Sequence, residues 1–461
     1  MAVSHEPVSL GLYRSVAVAA SYSLSLNNDP SSSNPSQKER FYFALESSLQ
    51  TTIQQHPGLL YGISDEAENG IQLYRQLSKF EKQDILEMVD SRDISLASNK
   101  PGNTTHEAVL SKVLGERHGE FFTANKPAWK MIVLEHEIPS SSRKSAESAL
   151  QRLDIVFLAH HALADGMSGI PFHASLMANF PSISTSTSAP TWPMILNDLR
   201  PAPPQVEESI EFSPCDCEIC SSRSTDDRPV WAGPRIPSLP IVSFQSMARI
   251  VTISPKDLLD VLRRCKQAKA TLTTYLHALI CASLVRRIEE DVPGIRASTP
   301  FSLRKHTKTS DDDIVDHASN VTCYVSRAQL NKLAACEAGS VTEEQHIGDL
   351  AQFFRREIVS KVNQFPHGDM IAKISQVTDF DFASFSQSRA GKERTTTYEL
   401  SNLGSASTVI PPHDSGLVLD KMVFSQCSSV TGQALGFNCH GVVQESLVDA
   451  VAMELQTRLG G

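Results

Sequence analysis

Leu153-Asp-Ile-Val-Phe-Leu-Ala-His-His-Ala-Leu-Ala-Asp-Gly-Met-Ser-Gly169 decides the fold class of this chain. Leu153 to Ala159 is rich in β-branched and apolar residues, which predicts a buried strand. The strand runs straight into His160-His161. Asp165-Gly166 then turns the chain, and Met167, Ile170, Ala174 and Met177 recur at the spacing of an amphipathic helix. Two histidines, with an aspartate four residues after the second, therefore stand at the carboxyl end of a strand on the turn into a helix.

The same pattern extends outward. Trp129 to Glu135 predicts a second buried strand, and Phe41, Leu45, Leu49 and Ile53 form one apolar face of a helix that stops at His56-Pro57-Gly58. Asn27 to Ser36 has the composition of a loop. From residue 181 to 240 the chain is rich in Ser, Thr and Pro and reads as a linker. Ala248 to Ile253 then predicts a strand, Ser254-Pro-Lys-Asp257 the start of a helix, and Leu272 to Ile288 a second helix with an apolar stripe. Alternating strands and helices without an internal repeat point to a two-layer α/β arrangement in two domains, 1–180 and 241–461, on either side of the linker.

Bulk composition narrows the function. At 461 residues, with 41% hydrophobic and 20% charged residues, the chain can bury a large core. A net charge of -10 argues against nucleic acid, which selects a basic surface. No apolar run reaches the roughly 20 residues of a membrane span, and Met1 to Leu26 lacks a basic start followed by a compact apolar stretch, so a cytoplasmic protein is expected. The 9 cysteines are too sparse for a disulfide framework, and the sequons at Asn103 and Asn320 are treated as chance.

The segment His160-His-Ala-Leu-Ala-Asp-Gly166 resembles the HHxxxDG motif of the chloramphenicol acetyltransferase-like superfamily, with every fixed position present. Weaker likenesses are spread over both halves. They include Gln55-His-Pro57, Lys126-Pro-Ala-Trp129, Thr271-Leu-Thr273, Thr299-Pro-Phe-Ser-Leu-Arg304, Glu399-Leu-Ser-Asn-Leu-Gly404, Phe424-Ser-Gln-Cys427 and Gly436-Phe-Asn438. The Ser-Asn-x-Gly element is similar to the fungal alcohol acetyltransferase and trichothecene-type O-acetyltransferase branch. The DFGWG sequence of the plant branch is absent, as is any carrier-protein or adenylation module.

This resemblance implies a two-domain sandwich with an active-site tunnel between the domains, a monomer, no permanently bound cofactor, and acetyl-coenzyme A as co-substrate. The second histidine, His161, is implied to be the general base. Neutral imidazole can take a hydroxyl proton at cellular pH and return it to a departing thiolate. Asp165 is implied to be structural, with Arg304 as its salt-bridge partner, and His160 structural too. Gly166 would allow close backbone approach. Ser401 and Asn402 are candidate oxyanion donors, although a polar turn explains them equally well.

Other motifs are weaker. Cys215, Cys217 and Cys220 form a CxCxxC cluster without a second pair, so no metal is assigned. Asp311-Asp-Asp313 reads as solvated charge and receives no ligand role, and His277 and His440 read as packed histidines. There is no GxSxG elbow, dinucleotide fingerprint or P-loop. The expected activity is acetyl transfer from acetyl-coenzyme A to a hydroxyl of a hydrophobic small molecule in fungal secondary metabolism. Transfer of a longer acyl chain, condensation from a carrier protein onto an amine, and a catalytically silent binding protein remain the alternatives.

Overall fold

The computed structural model describes residues 15–26, 36–64, 74–94, 105–120, 122–136, 149–198, 200–210, 228–233, 235–236, 246–366, 382–413, 415–427, 433–436, 439–440 and 445–460. The strands of its two main sheets are, in chain order, β1 (Ser15–Leu26), β2 (Leu86–Asp90), β3 (Trp129–His136), β4 (Ala149–His160), β5 (Ser246–Met247), β6 (Gly294–Ser302), β7 (Ala318–Ser326), β8 (Thr396–Glu399), β9 (Leu417–Gln426), β10 (Gln433–Gly436) and β11 (Cys439–His440). The principal helices are α1 (Gln37–Gln55), α2 (His106–His118), α3 (Gly169–Ala178), α4 (Pro255–Gln267), α5 (Leu272–Leu284), α6 (Arg327–Ala334), α7 (Val341–Val362) and α8 (Glu445–Gly460).

The first sheet has the order β9-β1-β4-β3-β2. Alternation along β4 sends Ile155 and Phe157 to one face and Val156 and Leu158 to the other. Helices α1 and α3 cover the first face through Phe41, Leu45, Phe172 and Leu176, and α2 covers the second through Val109, Val113 and Leu114. This sheet is therefore the middle of three layers rather than one of two. Both of its faces are apolar, so each needs a cover.

The second sheet has the order β7-β6-β8-β10-β11-β5. Its core joins Ile295, Cys323 and Tyr398 to α5, α7 and α8. Strand β9 lies beyond residue 241 in the chain yet pairs antiparallel with β1 along Val16↔Gln426 to Leu24↔Leu417. The two sheets thus do not follow a simple cut at that residue.

Most helix boundaries fall where their caps predict. Ser254 caps α4 by accepting from the Asp257 amide, and Thr271 caps α5 in the same way. One predicted element is corrected: Ala248 to Ile253 is irregular, and only Ser246–Met247 before it forms a strand. Both backbone groups of Thr252 are met by the Gln456 side chain of α8, which takes the place of a sheet neighbour. The Cys215, Cys217, Cys220 and Asn103 positions lie outside the described residues. Among the described residues, no helix is long and apolar enough to cross a membrane, and no cluster of His, Cys, Asp and Glu has the arrangement of a metal site.

Candidate active site

Strand β4 pairs with β1 as far as Ser15↔His160, so His161 is the first residue past the sheet. His160 is fixed there: its amide donates to the Ala128 carbonyl at 2.7 Å, and its Nδ1 accepts from the Ala162 amide at 3.0 Å. His161, by contrast, keeps 14% of its side chain exposed.

Its Nδ1 faces Asp316 Oδ2 at 3.2 Å. A carboxylate only accepts, so Nδ1 carries the proton and the lone pair of the neutral ring is on Nε2. Burial works to lower the His161 pKa, but the charge and hydrogen bond of Asp316 outweigh it, and the group titrates above the ordinary histidine range.

Asp165 faces away from this pair. Its carboxylate accepts from Arg304 Nη1 at 2.6 Å and Nη2 at 3.0 Å, with side-chain exposures of 5% for Asp165 and 1% for Arg304. The same carboxylate accepts from the Ser168 amide at 3.0 Å, the Ser168 hydroxyl at 2.9 Å and the His317 amide at 3.3 Å. The Asp165 amide donates to the Val315 carbonyl at 3.1 Å. Arg304 stands on a helical turn, Arg304–Thr307, just beyond β6 rather than within a strand. The Asp165–Arg304 cluster therefore binds the His161 loop to residues 313–317, the segment that carries Asp316.

Gly166 is one of the places where the two halves of the chain pack closely. A Cβ there would lie 2.7 Å from Phe424 Cε2 and 2.8 Å from Leu403 Cδ2. Phe424 also borders a cavity of about 370 Å³ beside β9, walled by Ile280, Leu284, Tyr398, Val448 and Val451. Ala162 and Leu163, next to His161 in the chain, and its partner Asp316 border a smaller cavity with Tyr74 and His317.

Leu403 belongs to the segment of the two oxyanion candidates. Asn402 is already engaged: its Nδ2 donates to Thr273 Oγ1 at 3.0 Å and its Oδ1 accepts from the Gly404 amide at 2.9 Å. It is exposed and holds a turn. Ser401 is partly exposed beside it.

Two acids escaped the sequence reading. Asp316 follows Asp311-Asp-Asp313 closely, but it comes directly after Ile314-Val315, and an acid next to an apolar pair signals burial. Glu399, at the end of β8, feels the charge of His161, and burial raises its pKa against that influence and a bond from Ser298. His277 is packed, with Nδ1 at 2.9 Å from the Tyr398 hydroxyl and Nε2 at 2.9 Å from Thr299 Oγ1.

A family model described as alcohol acetyltransferase matches residues 92–453. A Fusarium pseudograminearum protein named "Probable alcohol acetyltransferase FCK4" is 27% identical over 368 residues, 73% of this chain and 72% of that protein. Among solved structures, TRI3 trichothecene 15-O-acetyltransferase from Fusarium sporotrichioides superposes with a TM-score of 0.64 at 12% identity, covering 100% of this chain and 93% of its own. F. sporotrichioides TRI101, solved with coenzyme A and T-2, gives a TM-score of 0.51 at 13% identity, covering 94% and 89%. At such identities the structural likeness is one of fold.

Proposed function

This chain belongs to the alcohol acetyltransferase family and is an O-acetyltransferase, and we propose that it transfers acetyl from acetyl-coenzyme A to a hydroxyl of a hydrophobic small molecule of fungal secondary metabolism, with His161 as general base. The observation that carries this reading is the His161–Asp316 contact at 3.2 Å on a partly exposed loop.

Nε2 of neutral His161 takes the acceptor's hydroxyl proton as the oxygen attacks the thioester carbonyl. The tetrahedral adduct collapses with breakage of the carbon–sulfur bond, and the imidazolium returns its proton to the coenzyme A thiolate. Asp316 keeps the ring in the required tautomer and stabilises the transient imidazolium. The transfer is direct, so no serine nucleophile is required. Ser401 and Asn402 are the candidate donors to the oxyanion, Thr273 taking one of the two N–H groups of the Asn402 amide. TRI101 was solved with coenzyme A and T-2, which supports coenzyme A and a small molecule as the substrate pair.

The test is thiol release and acetyl-ester formation from acetyl-coenzyme A over an alcohol panel, with His161→Ala alongside. Loss of the base should cost about 100-fold to 10,000-fold in kcat. Full turnover by a folded His161→Ala protein would remove His161 from this role.

A further inference from the structure

His118, the last residue of α2, is buried and meets a hydroxyl at each ring nitrogen. Ser15 Oγ of β1 lies 2.7 Å from Nδ1, and Ser425 Oγ of β9 lies 2.8 Å from Nε2. Burial lowers the ring's pKa to about 3, so the imidazole is neutral, with a proton on one nitrogen and a lone pair on the other. Ser15 is buried as well, and among the described residues Nδ1 is the one partner of its hydroxyl. A buried O–H without an acceptor is costly, so Ser15 donates to Nδ1. The ring proton is then on Nε2 and is donated to Ser425 Oγ.

The hydroxyl proton of Ser425 is what this chain of bonds leaves over. Among the described residues Ser425 Oγ has no second partner, and Ser425 borders the cavity of about 370 Å³ beside β9. Its side chain points towards α2, where Leu114, one turn before His118 and on the same face, lines the cavity with it. Tyr398 is the other buried hydroxyl residue on the wall, and its hydroxyl is occupied, donating to the His277 carbonyl at 3.3 Å. Both cations on the wall are neutralised, Arg249 by Asp449 at 2.6 Å and Lys421 by Glu107 at 2.5 Å. Most of the remaining wall is apolar.

We propose that this cavity binds a neutral, apolar molecule through a carbonyl oxygen, with Ser425 as the donor to that oxygen, a site independent of the acetyl-transfer reading above. A carbonyl only accepts, which matches a hydroxyl whose proton is unspent. The bonds behind that proton, from Ser15 to His118 and from His118 to Ser425, strengthen it as a donor. An apolar pocket with a few placed polar groups is the usual form of a small-molecule site. At about 30 Å³ for each water-sized group, the volume holds about a dozen non-hydrogen atoms. A carboxylate ligand would find both cations already paired.

The test is headspace gas chromatography of nonan-2-one and its isostere 2-methylnon-1-ene, in which a methylene group replaces the carbonyl oxygen, over solutions of wild type, Ser425→Ala and Val451→Trp. Depletion of the vapour reads the binding of either probe without any turnover. Ser425→Ala should weaken ketone binding by about tenfold, the value of one net hydrogen bond, and leave the alkene unchanged. Val451→Trp places a large ring in the cavity from α8 and should abolish binding of both probes. Should Ser425→Ala fail to fold, Ser425→Cys, with a weak donor in a similar volume, is measured in its place and should weaken the ketone alone. A wild type that depletes neither vapour, ketone binding untouched by substitution of Ser425, equal losses with both probes on that substitution, or ketone binding that survives Val451→Trp would overturn the proposal.

Discussion

Asp316 Oδ2 lies 3.2 Å from His161 Nδ1, whereas Asp165, inside the same short motif as the histidine, gives its carboxylate to Arg304. The two acids have different tasks. Asp165 fastens the loop, and Asp316 meets the imidazole.

Asp316→Asn separates charge from shape. A base must be unprotonated, so kcat/KM rises with pH as His161 loses its proton. The Asp316 carboxylate raises that pKa against the lowering effect of burial. Removing its charge leaves burial dominant, and the acid limb of the pH profile should move to lower pH. The plateau should fall by about tenfold or more, a share of the usual general-base contribution. An acid limb that does not move would show that Asp316 does not govern His161.

Asp165→Asn should act mainly on stability. It leaves the Arg304 guanidinium, whose side chain is 1% exposed, without its counter-charge. Breaking a buried pair from one side typically costs about 3–5 kcal/mol. Urea denaturation measures this. A loss below about 1 kcal/mol would mean that solvent reaches Arg304.

Gly166→Ala and Gly169→Ala should fail in different ways. A Cβ on Gly169 would drive into the side chain of Val18, on a strand hydrogen-bonded on both sides, so overpacking should cost about 1–3 kcal/mol. The nearest atoms to a Cβ on Gly166 are the ends of the partly exposed Phe424 and Leu403. Those ends can shift, but they stand beside the His161 loop, so Gly166→Ala should lose more activity than stability. Paired thermal melts and acetyl-transfer rates would separate the two, and equal melting losses would refute the contrast.

Acid should destabilise the fold early. Burial lowers the pKa to about 3 in His118 and His277 and to about 4 in His173. In the unfolded chain these groups titrate near 6.5, so between the two values the unfolded state binds more protons. Their contribution is complete above about pH 6.5 and is lost progressively as pH falls towards the folded values. Tm should therefore decline steadily from pH 7 to pH 5. A flat Tm over that range would mean that these histidines are hydrated in the folded protein.

The strand into His160, the helix after Asp165 and the capped starts of α4 and α5 are legible because each follows from local periodicity and capping chemistry. Ala248 to Ile253 carries strand composition without becoming a strand, because Gln456, some 200 residues on, takes the backbone groups of Thr252. Arg304 was legible as a residue but not as part of a helical turn, since the end of β6 is set by its pairing with β7.

By itself the sequence determined the α/β class, the placement of His161 at a strand end and the acyl-transfer chemistry that its motif resembles. These depend on residues within a dozen positions of one another. Only the tertiary structure decided that β9 crosses into the first sheet and that Asp316 lies against His161 from 155 positions away. Short-range pattern fixes what a segment becomes. Which acid ends beside which base is set by burial and hydrogen bonding between distant segments, and no local spacing encodes it.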